Sequence, residues 1–446
     1  MIHSWDLFDT LIGRKCGTAI RLHAEMGKIL GIWDFVQRRL ASELLLQEKK
    51  VAYTLKDIYE NYSISYGDSF RNLAELEWEL ELKNVYSIKR NVNKLRPEDI
   101  VISDMYLDED ELRMLMIKAG IRFSGKILVS NYGKHYGTVW PDLKGNIISH
   151  CGDNQYSDIR MPAKYGIRAR DARTRVSSLE EHYGKHSEDL KWWVHYHRLR
   201  NISDENMERL DMTQIQLNVP LLWTACNLLK IFVDRRNIRE LLFMSRDGQM
   251  FQKMWEILYP DIPSQYLYIS RECLRGDSKT YFNYLNSIYT ENTCLVDMAA
   301  SGGSLKIALP KLVNPHPKIW TLVFLPGFKI DLTGIDLTYA TTNIETRINN
   351  TWLEMLNYAD HWHIADVVGK PIYDQFDEYN MDYVLGYHRL FEEMLQDVPR
   401  TKVQDPERLL RRILPAIHEE GPFLRRLFPE HLSFETNRKK KFKEYL

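Results

Sequence analysis

Four short apolar runs in the N-terminal part of the chain each break off at a carboxylate, a hydroxyl or a lysine, and this recurrence constrains the fold more than any other feature. Ile2 to Phe8 contains Asp6 and runs into Asp9-Thr10. Asp99-Ile100-Val101-Ile102 stops at Ser103-Asp104. Lys126 to Val129 is followed, after a turn, by Lys134, and Asn146 to His150 leads into Gly152-Asp153-Asn154 and Ser157-Asp158. Short apolar runs bounded by turn residues are buried strands, and helical periodicity between them makes the sheet parallel. Ligands of such sheets collect outside the carboxyl ends of the strands. The polar residues at these ends are therefore expected to converge on one crevice.

The expected fold class is α/β, with a Rossmann-like domain over residues 1–175. A helical insertion over about 17–95 interrupts it, where Leu73, Leu76, Trp78 and Leu80 recur at helical spacing. A strand over Gly166-Ile167-Arg168-Ala169 closes this unit. Residues 176–236 read as a helical connector, including the apolar stretch Val219 to Val233. Strand and helix alternate again over 237–380, in Glu240 to Met244, Gln249 to Leu258, Gln265 to Ile269, Thr293 to Val296, Leu305 to Leu312 and Ile319 to Phe324, which predicts a second α/β domain. Residues 381–446 read as a helical C-terminal region ending in the basic run Arg438 to Lys443.

Charge is balanced, with 60 basic against 61 acidic residues, so composition supplies no general attraction to nucleic acid or anionic membranes, and neither partner is expected. No run is apolar enough, on inspection, to span a bilayer. Five scattered cysteines, odd in number and without a Cys-x-x-Cys pair, suit a reducing, cytoplasmic setting.

Taken singly, these motifs are turn and helix-cap chemistry. Taken together, they form a phosphoryl-transfer set. A carboxylate that attacks a phosphoryl group meets a negatively charged target, so a hard dication with oxygen ligands must cancel the repulsion, and magnesium is the expected cofactor. Asp6 is the expected nucleophile. The expected metal ligands are Asp6, the Phe8 carbonyl, Asp153 and Asp158. Thr10 and Ser103 are placed to donate to phosphoryl oxygens, Lys134 to offset charge, and Asp9 to act as an acid/base.

The order of these motifs resembles the haloacid dehalogenase (HAD) superfamily. Asp6-x-Phe8-x-Thr10-Leu11 resembles its first motif, Ser103 in Ile102-Ser103-Asp104 its second, Lys134 its third, and Gly152-Asp153-Asn154 to Asp158 its fourth. The resemblance covers residues 1–175. It implies a hydrolase of phosphatase type acting through an aspartyl-phosphate, with the helical insertion as a cap over the substrate. Phosphatases of that superfamily carry an acid/base Asp two residues after the nucleophile, where this chain has Phe8. Beyond residue 175 the chain resembles two-domain bacterial predicted HAD hydrolases in Ser245-Arg246-Asp247-Gly248, Ile269-Ser270-Arg271 and Trp352-Leu353-Glu354.

In the second domain, Asp297 and Ser301-Gly302-Gly303-Ser304 resemble the diphosphate loop of phosphoribosyltransferases, with Val296 in place of its first acidic residue. Together with Arg246 they are candidate binders of a nucleotide or sugar ligand, beside Asp247 and Arg271. His361 and His363 are expected to pack. The expected function is a magnesium-dependent phosphohydrolase or phosphotransferase acting on a small phosphorylated metabolite, a sugar phosphate or nucleotide. The alternatives are a catalytically weakened binding or regulatory protein, and phosphoribosyl transfer or nucleotide binding by the second domain.

Overall fold

The computed structural model describes residues 2–49, 52–67, 72–201, 209–326, 331–373 and 380–429. The basic run Arg438 to Lys443 lies outside them. The chain divides into two compact units, Met1–Gly184 with Lys191–Met207, and Lys185–Leu190 with Glu208–Leu446.

The strands of the first unit are β1 (His3–Asp6), β2 (Ile12–Arg14), β3 (Val85–Ser87), β4 (Ile100–Ser103), β5 (Lys126–Val129), β6 (Ser149–Gly152) and β7 (Arg168–Asp171). Five of them form a parallel sheet in the order β5-β4-β1-β6-β7. The chain builds outward from β1 through β4 to β5, then crosses back to lay β6 on the other side of β1. The switch point of the sheet is thus the crevice between β1 and β6. Side chains also stitch these strands, with His3 Nδ1 at 2.8 Å from Ser149 Oγ and Ser4 Oγ at 2.8 Å from His150 Nδ1.

The helical insertion is four helices, Ala19–Leu30, Phe35–Glu48, Leu55–Tyr66 and Leu73–Asn84, entered and left through the antiparallel pair β2-β3. Local chemistry sets their ends. Thr18 and Thr54 accept from backbone N–H groups of the first turn, Thr54 in a reciprocal box with Asp57. The helices bury Leu22, Met26, Phe35, Ile58 and Tyr62 in one core with Leu7, Leu11, Ile12 and Val101. Each such side chain contributes roughly 1.5–3 kcal/mol on leaving water.

The second unit contains β8 (Glu240–Met244), β9 (Ser264–Leu267), β10 (Thr293–Ala300), β11 (Lys318–Phe324), β12 (Asp336–Thr342) and an antiparallel pair, β13 (Ile364–Val368) with β14 (Lys370–Tyr373). Its parallel sheet has the order β12-β11-β10-β8-β9, so its switch point lies between β8 and β10.

Several boundaries differ from the sequence reading. The strand expected over Asn146 to His150 lies at Ser149–Gly152, and that expected over Gly166 to Ala169 lies at Arg168–Asp171. Lys144 and Ile147 instead close a local bridge, which takes that backbone out of the sheet. β10 continues to Ala300, and the expected Leu305 to Leu312 helix is Gly303–Ala308 followed by a single tight turn. One helix, Arg209–Arg236, does meet the length and hydropathy of a bilayer span, contrary to expectation. Yet 78% of its apolar window is buried inside the protein, as in a core helix. Its amides Gln214 and Asn218 donate to the Leu356 carbonyl at 2.8 and 3.1 Å, which anchors it internally.

Candidate functional site

Strand pairing brings the first unit's polar ends together. Asp6 ends β1 opposite Ile102, one residue before Ser103, while Trp5 pairs with Cys151, one residue before Gly152. Ligand oxygens of Asp6, Asp153 and Asp158 lie within 4.8 Å of one another. Lys134, buried and 128 positions from Asp6 in the chain, donates to Asp6 and, at 2.8 Å, to Asp158 Oδ1. Ser103 is buried at the end of the neighbouring strand, and Thr10 Oγ1 donates to Asp153 Oδ1 at 3.5 Å.

Each member is held by its own local structure. Asp104 accepts from the backbone N–H groups of Lys134 and His135 at 3.0 and 3.1 Å, which fixes the turn presenting the lysine. Asp158 sits on a widened helical turn, Gln155–Arg160, a form of helix often found at functional sites. A Cβ on Gly152 would stand 2.4 Å from the Asp158 carboxyl carbon, so only glycine lets this carboxylate lie against β6. Asp158 Oδ1 also meets His150 Nε2 at 3.1 Å, and Oδ2 accepts from the Asn154 N–H at 3.0 Å.

The electrostatics of this cluster do not close. Burial pushes the Asp6 carboxyl well above the ordinary range, Lys134 pulls against that shift, and Asp158 and Asp153 reinforce it. Asp153 is pushed up to about 6 by burial, then by Asp9 and Asp158. Burial would also raise Asp158, but Lys134 and His150 outweigh it and hold that carboxyl low. Burial keeps His150 below its ordinary value, hence neutral near pH 7. Were all three carboxylates ionised, the one ammonium would leave two negative charges, and a divalent cation would supply the missing positive charge that the raised Asp6 and Asp153 lack. With the oxygens of Asp158 already engaged, Asp6 and Asp153 are the residues best placed to hold such an ion.

Phe8 and Asp9 follow Asp6 just beyond the end of β1. The Phe8 ring packs under the Arg14 guanidinium, 4.2 Å from its centroid, and Arg14 is held in turn by buried Glu81 at 2.7–3.0 Å. Asp9 occupies a left-handed turn at φ 58°, with its N–H donating to the Ile12 carbonyl at 2.7 Å. Burial raises the pKa of its carboxyl against the pull of Arg14, and the same carboxyl acts on Asp153. Asp104, His150 and Asn154 support the site; the sequence motifs contained Asp104 and Asn154 without a role for either. His150 lay within the expected β6 run, where a buried imidazole looks like any strand residue.

In the second unit, Arg246 and Asp247 follow β8, and Asp297 lies within β10 on the other side of the switch point. The Arg246 guanidinium lies 5.3 Å from the Tyr358 ring centroid. Asp297 accepts from the Ala299 N–H at 3.2 Å, and burial followed by Glu354 pushes its carboxyl up to about 6 against Arg271. Burial and then Asp297 and Glu354 push Asp247 well up. A folded pKa above the unfolded one favours the folded state at low pH, and that advantage fades as pH rises through about 6. Asp297→Asn is accordingly expected to raise the melting temperature by a few degrees at pH 8 and by less at pH 5, measured by calorimetry.

The glycine loop after β10 is packed. Gly302 has φ 79°, and a Cβ there would meet a Leu332 methyl at 2.8 Å with Leu337 and Ile335 behind it. Backbone conformation and core packing therefore account for this glycine. Ser301 and Ser304 flank it, and Gly303 opens a helix of only six residues. Gly302→Ala should cost about 1–3 kcal/mol in chemical denaturation. His361 and His363 pack as expected, with His361 Nε2 at 2.9 Å from the Tyr266 hydroxyl and His363 Nε2 at 2.7 Å from Glu272.

Neither a known family model nor a curated protein sequence matches the chain.

Proposed function

We propose that the first unit is a magnesium-dependent phosphohydrolase or phosphotransferase acting on a small phosphorylated metabolite through an aspartyl-phosphate on Asp6. The observation that carries this reading is the convergence of Asp6, Asp153, Asp158 and Lys134 at the switch point of a parallel sheet, three carboxyls around one ammonium. The order of the same residues along the chain, which resembles the HAD superfamily, agrees with it. Asp6 and Asp153 would hold magnesium, which supplies the charge that lets a carboxylate approach a phosphoryl group. Lys134 holds Asp6 in place and balances charge on the transferred group. Ser103 and the backbone around Thr10 donate to its oxygens. Turnover of a phosphoester panel with magnesium, by the wild-type and Asp6→Asn proteins, is the direct test. Equal rates would remove Asp6 as the nucleophile.

A second reading is a binding or regulatory module. It draws on Phe8, whose ring is committed to Arg14 and supplies no acid for the leaving group, a contribution typically worth about 10²–10⁴ in rate. Calorimetry with phosphorylated ligands separates the two, since binding without phosphate release favours the module and magnesium-dependent release favours the enzyme. For the second unit, Arg246, Asp247, Arg271 and Asp297 remain the candidates for a nucleotide or sugar-like ligand. Unchanged phosphoribosyl-diphosphate binding by Asp297→Asn would count against phosphoribosyl transfer.

A further inference from the structure

With Phe8 two residues beyond Asp6, the proton that an alkoxide leaving group needs must come from another side chain. In-line transfer puts the leaving oxygen opposite the attacking carboxylate, so that donor belongs across the crevice from Asp6 and not beside it.

One buried imidazole of the first unit is oriented as such a donor would be. His195 lies on the helix Glu188–Asn201, whose residues from Lys191 onward belong to that unit. Its Nδ1 stands 2.9 Å from Oε2 of Glu180, which is fully buried. Burial would raise the Glu180 carboxyl, but His195 and then Arg198 outweigh it and hold it at about 2, so it is ionised near pH 7. Arg198 Nη2 donates to Glu180 Oε2 at 3.0 Å and lies 3.1 Å from the same imidazole nitrogen. An ionised carboxylate at Nδ1 keeps the proton of the neutral ring there and turns Nε2 outward. Nε2 has no partner among the described residues and is not sealed in the core.

Packing seats this helix on the strand pair that leaves the nucleophile. Trp192 meets the His195 ring edge-on at 5.4 Å and lies on Gly17, where a Cβ would stand 2.1 Å from the indole. Tyr196, the next residue, packs at 4.7 Å on Tyr86 of β3, which pairs with Gly13 of β2. Asp9 closes the turn between β1 and β2 through its bond to the Ile12 carbonyl. The charges meet on this carboxyl: burial raises it, Arg14 pulls it down, Glu81 adds to the rise and His195 opposes it. Asp9 acts in turn on Asp153 and, after burial, on the Tyr86 hydroxyl. His195 and the metal-side carboxylate Asp153 therefore share one neighbour, three residues beyond Asp6.

We infer that His195 is the acid/base of the Asp6 site and that Glu180 is the residue that orients it. The inference rests on the phosphoryl-transfer reading and adds a catalytic group to it. In the first half-reaction an Asp6 oxygen bonds to phosphorus, the bond from phosphorus to the leaving oxygen breaks, and the Nε2 proton of the imidazolium passes to that oxygen, directly or through one water. In the second, the neutral imidazole takes a proton from water as the water oxygen bonds to phosphorus. The bond from Asp6 to phosphorus then breaks, which returns the carboxylate and the imidazolium.

The test uses the full chain with magnesium and compares p-nitrophenyl phosphate, whose leaving group departs as a stable anion, with glycerol 2-phosphate, whose alkoxide needs a proton. The readout is kcat/KM, which reports the step that breaks the ester. His195→Gln should lower it by about 10²–10⁴-fold for glycerol 2-phosphate and by less than about 10-fold for p-nitrophenyl phosphate. In wild type, kcat/KM for glycerol 2-phosphate should fall toward alkaline pH as the imidazolium loses its proton, and p-nitrophenyl phosphate should lack that limb. Equal losses on the two esters in a folded variant, or one alkaline limb common to both in wild type, overturn the inference and leave the phosphohydrolase reading standing. Should His195→Gln fail to fold, the wild-type pH profiles decide. Failure of the phosphohydrolase reading looks different, with wild type and Asp6→Asn releasing phosphate from both esters at equal or zero rates, and this inference falls with it.

Discussion

Asp6→Asn is expected to lower magnesium-dependent phosphoester turnover by roughly 10⁴-fold or more, while the protein stays folded and melts at the same or a higher temperature. The two halves of this expectation have one cause. An amide neither attacks phosphorus nor draws in a cation, so the chemistry stops. The native carboxylate, however, is buried among like charges and its pKa is pushed well up, so replacing it with a neutral isostere removes a strained ionisation. Lys134 keeps Asp158 as a partner at 2.8 Å, so no buried ammonium is stranded. Parallel phosphate-release assays and calorimetry check both halves. A variant that lost activity only because it unfolded would miss the second.

The second large effect is on stability, at Glu77. This carboxylate is fully buried in the helical insertion and accepts from Arg39, Tyr59 and Tyr106. Burial alone would raise its pKa, but the Arg39 charge and then the His23 ring outweigh burial and hold it well below the ordinary 4.5. Glu77→Gln leaves the Arg39 guanidinium buried with half its compensation, and a loss of about 3–5 kcal/mol is expected in chemical denaturation at pH 7. The sign with pH follows from the depressed folded pKa. The stabilisation is present above about 4.5, where the unfolded carboxyl ionises, and is lost as pH falls toward the folded value. Wild type and variant should therefore converge in acid below about pH 4.5. A difference that stayed constant into that range would show that the ion pair is not its source.

Much of this was legible locally, and the reason is periodicity. The β1, β4, β5 and β8 runs are short, apolar and bounded by turn residues, so pattern alone located them to within a few residues. The helices of the insertion carried their caps in sequence, Thr54 with Asp57 being the clearest. Less was legible where local signals conflict with long-range pairing. Ser149–Gly152 reads as polar, and it is a strand because His150 and Ser149 bond to Ser4 and His3 across the sheet. The three-residue strands Ile12–Arg14 and Val85–Ser87 stabilise each other across the whole insertion and give no periodic signal of their own.

The candidate site divides in the same way. Sequence by itself determined which polar residues end or follow the strands, because the turn from apolar to polar is a local event: Asp6, Ser103 and Asp153 were visible at the strand ends, and Lys134 and Asp158 in the turns beyond them. Only the tertiary structure decided what each of them does within the cluster. It engaged Asp158 with Lys134 and His150, set Asp6 and Asp153 among like charges, packed the Phe8 ring on Arg14, and kept the Asp9 carboxyl, on a left-handed residue, within reach of the charges of Arg14 and Asp153. It likewise showed Gly302 wedged against Leu332. Charge balance and close packing depend on atoms brought together from distant positions, and no local pattern encodes a sum over partners that far apart in the chain.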